Sequence, residues 1–360
     1  MGLIMSDKSW QGPLFIVGAS RSGTSMLWSI LNRSLEIGLA GETHFFDDLR
    51  PRYLGKTLRG MTDEEQATCV DYFRRLSIRP YGVRVDPDES PLSRQMLLSQ
   101  AEATGDTVDT IFEVFCRWRL KALGGHIWGE KTPRHVFRID DILAAYPQAR
   151  IICTVRDPRA VVASYRDWKE YQGGLKKADN NEEYLKAIAE DYERKKASYN
   201  IVIATMMWRA AARAEVFATK KHSANKVRIL KYEDLVAAPA ETLRAMTDWL
   251  GMAYSDDLLD IPLLNSTASR FQEKAGVSDA PNKRWREVLS DNEIAVIQSV
   301  CGSSLEDAGY DRLPTILSPL GLAAAYASVP MAVLRAARAN QRRYKSLPEY
   351  IWRRLKAAIK

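Results

Sequence analysis

Twice in this chain an unbroken run of apolar, β-prone residues stops at a short turn and is followed at once by apolar residues at helical spacing. The first run, Leu14 to Val17, passes through the turn GASRSG into TSMLWSIL, where Met26, Leu27, Ile30 and Leu31 recur at intervals of three and four. The second, Ile151 to Val155, passes through Arg156 and Asp157, and Asp157 is suited to cap a helix that has Pro158 in its first turn. Val161, Val162 and Tyr165 then make that helix's apolar face. A strand that is apolar on both faces is covered on both sides, as in parallel sheets, and parallel neighbours require helical crossovers. The two junctions therefore restrict the chain to an α/β fold, a P-loop-type parallel sheet flanked by helices.

Other segments fit this frame. HIWGEKTPRH (126–135) reads as a short strand running into a loop, and VRILKYEDL (227–235) as a strand entering a helix that ends near Gly251. Residues 62–77, 91–123 and 181–219 have helical patterns, the first two separated by the turn-rich RPYGVRVDPDESP. With 46% hydrophobic residues, the 360-residue chain can build one large core, expected over residues 1–313 with a helical insertion at about 50–125. Cys69, Cys116, Cys153 and Cys301 are scattered, a spacing that suits neither a disulfide frame nor a zinc site. The opening MGLIMSDKSWQ is too polar before the first apolar run for a secretory signal, so a cytoplasmic protein is expected.

Charge is concentrated at one end. From Arg335 to Lys360 nine basic residues stand against Glu349 alone, so this tail carries +8 of a net charge of +7 and the rest sums to −1. A body so balanced is not a nucleic-acid binder. Before the basic stretch, residues 314–334 hold no charge over 21 positions, close to the ~20 that span a bilayer. Pro319, Gly321 and Pro330 make a poor spanning helix. Residues 314–360 are thus read as an apolar-then-basic helical extension, with three readings open: a packed or solvated helix, a contact with the membrane surface (at its inner face, for a cytoplasmic protein), or a span.

The first turn nearly matches the nucleotide-binding pattern GxxxxGK[ST]. Gly18 and Gly23 have the spacing, but Thr24 stands where the lysine belongs. Backbone N–H groups and the helix dipole attract an anion at such a junction without help from side chains. Ser20, Ser22, Thr24 and Ser25 add hydroxyls, and Arg21 adds a cation. Without the lysine that serves the β and γ phosphates, the expected ligand is smaller and less charged than a triphosphate, and needs no metal. A P-loop kinase or other nucleoside triphosphatase is the alternative from another class.

LFIVGASRSGTSMLWSIL resembles the 5′-phosphosulfate-binding loop of the sulfotransferases that use 3′-phosphoadenosine 5′-phosphosulfate (PAPS), and RDPRAVVASY resembles their 3′-phosphate site. The likeness runs from Leu14 to about Tyr310. It implies that residues 20–25 hold the donor at one end, while Arg156 and Ser164 grip its 3′-phosphate. GETHFF (41–46) lies where several members place a catalytic glutamate, which makes Glu42 the implied base. His44, two residues on, is the second candidate, because imidazole titrates in the useful range. GEKTPR (129–134) is similar to the EK(T/S)P segment of glycan sulfotransferases, and implies that Lys131 offsets charge on the bridging oxygen, with Glu130 orienting it. KYEDL implies that Tyr232 lies against the nucleotide, while Glu233 and Asp234 read as first-turn charges. FQEKAGVSDAPNKRWREVLSD (271–291) looks like a late loop over the donor, with Lys283, Arg284 and Trp285 facing phosphate or adenine. The chain departs from better-known members in lacking an RKG motif near the end and a histidine aligned as the single base. The implied activity is sulfuryl transfer from PAPS to a hydroxyl of a carbohydrate or glycolipid, with a tyrosylprotein as the alternative acceptor.

Overall fold

The computed structural model describes residues 12–82, 85–121, 125–166, 196–261 and 284–340, with Trp10 and positions 189–190 and 193–194. Five strands, β1 (Leu14–Gly18), β2 (Ile37–Ala40), β3 (Ile127–Lys131), β4 (Arg150–Val155) and β5 (Val227–Lys231), form one sheet in the order β2-β3-β1-β4-β5. Every pairing is parallel, and Leu14 of β1 is level with Gly129 on one side and Arg150 on the other. From β1 the chain passes to the edge strand β2, returns to place β3 between them, then crosses to β4 and β5 on the other side, so β1 lies where the direction of winding reverses. Ligands of open α/β sheets bind at the carboxyl ends of the strands around that reversal.

The principal helices are α1 (Thr24–Leu31), α2 (Asp63–Ile78), α3 (Arg94–Thr104), α4 (Val108–Lys121), α5 (Pro158–Arg166), α6 (Ile201–Lys221), α7 (Pro239–Leu250), α8 (Asp291–Cys301), α9 (Pro319–Ala327) and α10 (Val329–Asn340). The two-sided burial expected of parallel strands is visible residue by residue in β1. Leu14 and Ile16 pack with Leu27, Ile30, Leu243 and Leu250 of α1 and α7. Phe15 and Val17 face the opposite layer, where Phe112 of α4 lies parallel to the Phe15 ring at 6.2 Å. Helices α2, α3 and α4, from the tract set apart in sequence as an insertion, form the β2-to-β3 crossover, and Phe73, Phe112 and Phe115 belong to the same apolar layer as Phe15.

Three local features differ from the sequence reading. Residues 91–123 form two helices, because Asp106 turns left-handed at φ 56° and Thr107 bridges back to Thr57. The helical segment after β5 is broken at Ala238, ahead of Pro239, before α7 ends on left-handed Gly251. Strand β2, IGLA, has no alternating signal, since all four residues are buried. It depends on Gly38, where a Cβ would stand 2.7 Å from the Leu120 Cα of α4.

Beneath the β1 turn, Glu215 of α6 is 1% exposed and its carboxylate accepts a hydrogen bond from the Ala19 N–H. Burial pushes its pKa well above the ordinary carboxylate range, outweighing the smaller downward pull of that N–H. The unfolded chain releases this proton near ~4.3, whereas the folded chain keeps it, so Glu215 lowers stability as pH rises past that value. Glu215→Gln removes the titration. Thermal denaturation should find the variant gaining on the wild type between about pH 5 and pH 8; a difference constant across that range contradicts this account.

Candidate active site

The turn after β1 is shaped for a ligand. Gly23, at φ 91°, occupies the N-cap of α1 with no side chain capping the helix, which leaves first-turn N–H groups for an incoming anion. The Ser22 N–H bonds back to the Ala19 carbonyl at 3.1 Å, and Arg21 sits left-handed at φ 74°. Ser22 is 1% exposed, and its Oγ has no hydrogen-bond partner within the protein. A buried hydroxyl left so costs stability, and a bound acceptor oxygen repays it.

The second junction meets the first. Asp157 caps α5 as expected, accepting from the Arg159 N–H at 2.8 Å and clasping the Arg159 guanidinium as well. Arg21 Nε donates to Ser164 Oγ at 3.0 Å, across 143 residues of sequence. Arg156, 6% exposed, donates from Nη1 to the Arg21 carbonyl at 3.3 Å and lies 4.2 Å from the Tyr232 ring centroid. Tyr232 in turn packs on the turn itself: a Cβ on Gly23 would come within 2.5 Å of its Cδ2. Arg21, Ser22, Gly23, Arg156, Ser164 and Tyr232 are therefore one cluster, with two guanidinium groups beside an open helix terminus. Thr24 is buried in the first turn of α1, while Ser20 and Ser25 are exposed at the rim.

A second cluster stands next to it. Lys131, at the end of β3, donates from Nζ to Glu42 Oε1 at 2.7 Å and to Ser25 Oγ at 3.3 Å. The lysine side chain is 8% exposed and the carboxylate 41%, so the pair lies at a surface opening. His44 Nε2 is 3.6 Å from the other Glu42 oxygen, and its ring lies 4.1 Å from that of Tyr81. His44 adopts φ 54°, so it reaches Glu42 from a left-handed turn. Burial alone would raise the Glu42 pKa, but the nearby His44 and the charge and hydrogen bond of Lys131 prevail and hold it down to about 2.

What aligns this pair is a buried polar network that the sequence did not disclose. Glu130, 0% exposed, accepts from the hydroxyls of Thr43 and Thr132, and the Thr43 N–H donates to Thr132 Oγ1 at 3.0 Å. His135 Nδ1 is 2.5 Å from Glu130 Oε1, and the Tyr72 hydroxyl donates to the Thr43 carbonyl at 2.5 Å. Glu42 and Lys131 each adjoin a member of this network in sequence, so the network holds GET against EKT. No local pattern joins Thr43 to Glu130, 87 residues apart. Glu233, read as a first-turn charge, bonds the Asp157 N–H at 3.0 Å and the Tyr310 hydroxyl at 2.8 Å, linking the ends of β4 and β5. Trp285 is 4% exposed, with Arg159 4.8 Å from its ring, so it belongs to the core. Arg284 begins the short helix that carries Trp285, and Lys283 lies outside the described residues. Among the described residues no group of three or more His, Cys, Asp or Glu is placed to hold a metal ion.

At the winding reversal of the parallel sheet, then, a turn with an open helix terminus is flanked by an acid–ammonium pair. The sequence model of the Sulfotransferase family matches residues 13–256, more than half of the chain, and the chain belongs to that family. Carbohydrate sulfotransferase 2 from Mus musculus and from Homo sapiens are each 29% identical to it over 90 residues, which is 24% of this chain and 17% of those relatives. Among solved structures, the sulfotransferase domain of the Synechococcus PCC 7002 olefin synthase is 20% identical, with TM-score 0.47 over 85% of this chain and 98% of that domain. The sulfotransferase domain of the curacin biosynthetic pathway is 16% identical, with TM-score 0.49 over 84% and 99%.

Thr43→Val should cost about 1–3 kcal/mol in denaturant unfolding, because Glu130 loses a donor in a buried place. It should also lower turnover although Thr43 touches neither Glu42 nor Lys131 through its side chain. Wild-type stability in the variant would remove the network from this account.

Proposed function

We propose that this protein transfers the sulfuryl group of PAPS to a hydroxyl of a carbohydrate or glycolipid, with Glu42 as base and Lys131 as the cation at the bridging oxygen. The observation that carries the reading is the Lys131–Glu42 pair at 2.7 Å, with the same ammonium reaching Ser25 in the first turn of α1. It sets an acid–base group and a fixed positive charge at the edge of the anion-receiving turn.

PAPS supplies a sulfuryl group on a phosphate leaving group. The open N-terminus of α1 and the orphaned Ser22 hydroxyl suit an anion, while Arg156, Arg21 and Ser164 suit a second phosphate, guanidinium being the natural fork for it. In transfer, the acceptor oxygen bonds to sulfur as the bond between sulfur and the bridging oxygen breaks. The acceptor's proton passes to Glu42, and the electron pair remains on the bridging oxygen, where Lys131 stabilises it. A carboxylate held at about 2 is ionised but weakly basic. Turning Lys131 from Glu42 toward the bridging oxygen removes a principal cause of that depression, so the base strengthens when the donor is in place. The carbohydrate preference is supported by the EKTP element (130–133) and by the likeness to carbohydrate sulfotransferase 2.

Mass spectrometry of glycan, glycolipid and tyrosyl-peptide acceptors after incubation with isotopically labelled PAPS tests the reading. A sulfated glycan or glycolipid is expected; sulfation of the peptides alone overturns the acceptor assignment, and no product with any acceptor together with magnesium-dependent ATP turnover overturns the whole. Glu42→Gln should lower kcat by about 10²- to 10⁴-fold. The kcat/KM profile distinguishes the two candidate bases. With Glu42 as base it stays level down through about pH 5, whereas an imidazole base produces a falling acid limb near pH 6–7.

A further inference from the structure

Helices α9 and α10 follow one another with only Ser328 between them, and Pro319–Asn340 together are long and apolar enough to cross a bilayer, with mean hydropathy 1.4. They do not stand away from the protein. Leu322, Ala325 and Val329 pack on Val202, Val296 and Val300; Asn200 Nδ2 donates to Ser328 Oγ at 2.8 Å, and Arg194 Nη1 to Asn340 Oδ1 at 3.0 Å. One face is thus anchored to α6 and α8. The other is bare: Ile316 is 91% exposed, Leu320 83%, Met331 57%, Leu334 51% and Tyr326 48%. No charged residue interrupts that face from Pro314 to Leu334.

Charge decides what covers it. Arg335 and Arg338 are exposed at the end of the apolar stretch, and residues 341–360 add seven basic residues against Glu349. A second copy of this chain set face to face would bring two such tails together, like charge against like. A spanning helix would need lipid on every side, and the anchored face forbids that. We infer that α9 and α10 lie in the plane of an anionic membrane surface, with Leu320, Tyr326, Met331 and Leu334 entering the acyl boundary and Arg335 and Arg338 against the headgroups. This placement does not depend on the transfer chemistry proposed above.

The test uses the full chain and phosphatidylcholine vesicles with and without about one third phosphatidylserine, read by flotation. Each basic residue at an anionic surface contributes about fivefold in partition, so the anionic vesicles should bind at least tenfold more protein, and about 0.5 M salt should remove most of that advantage. Leu320→Glu/Met331→Glu/Leu334→Glu, at exposed positions that leave the fold intact, should bind at least tenfold more weakly at an unchanged melting temperature. Arg335→Glu/Arg338→Glu should weaken binding to anionic vesicles only. Failure of the wild type to float, or equal binding by the triple variant, overturns the inference. So does a dimer in sedimentation that the triple variant converts to monomer while vesicle binding persists, since the face then belongs to a second copy.

Discussion

A site that grips an anion through backbone amides works only where the backbone is fixed, and here that fixity comes from β1 and β4 lying side by side. At their carboxyl ends the approach is so close that a Cβ on Gly18 would stand 2.3 Å from the Thr154 carbonyl oxygen. The two turns leave the sheet as neighbours, which is why Arg21 of one can reach Ser164 beyond the other. The end of β5 is tied to that of β4 by Glu233, and Trp208 Nε1 donates to the Arg156 carbonyl at 2.8 Å. Cations belonging to residues far apart in sequence are thereby held together before any ligand arrives, a preorganisation that saves ordering cost on binding.

The Lys131–Glu42 pair is organised differently. Glu42 and Lys131 sit at the edge, one of them well exposed, and owe their register to the buried carboxylate of Glu130 behind them. A buried carboxylate is costly unless donors surround it, and the hydroxyls of Thr43 and Thr132 bond one oxygen of Glu130 while the imidazole of His135 lies against the other. In the reading proposed above, the outer pair is idle at rest because each partner neutralises the other.

The fold and the outline of the site were legible because both are written locally. Leu14 to Ser25 and Ile151 to Ser164 each carry strand, turn and helix within a few residues, and parallel burial follows from their lack of alternation. Glu42 and Lys131 stood out by chemical type, but their contact spans 89 residues and no spacing rule reaches that far. The same distance hid the Glu130 network and made Glu233 look like a mere helix-start charge. The resemblance pairs Ser164 with Arg156 at a phosphate; the bond from Arg21 to Ser164, across 143 residues, has no local signal. Strand β2 escaped notice because four buried residues with a glycine among them have no period.

Gly23, Tyr232 and Arg156 form a stack: backbone, aromatic ring, guanidinium. A methyl group at position 23 would displace the ring, and the ring would carry the arginine with it, although the arginine belongs to the other turn. Altering the turn after β1 therefore disturbs the residue that follows β4. The two junctions are thus mechanically joined: a change in the first turn is felt at the start of the second.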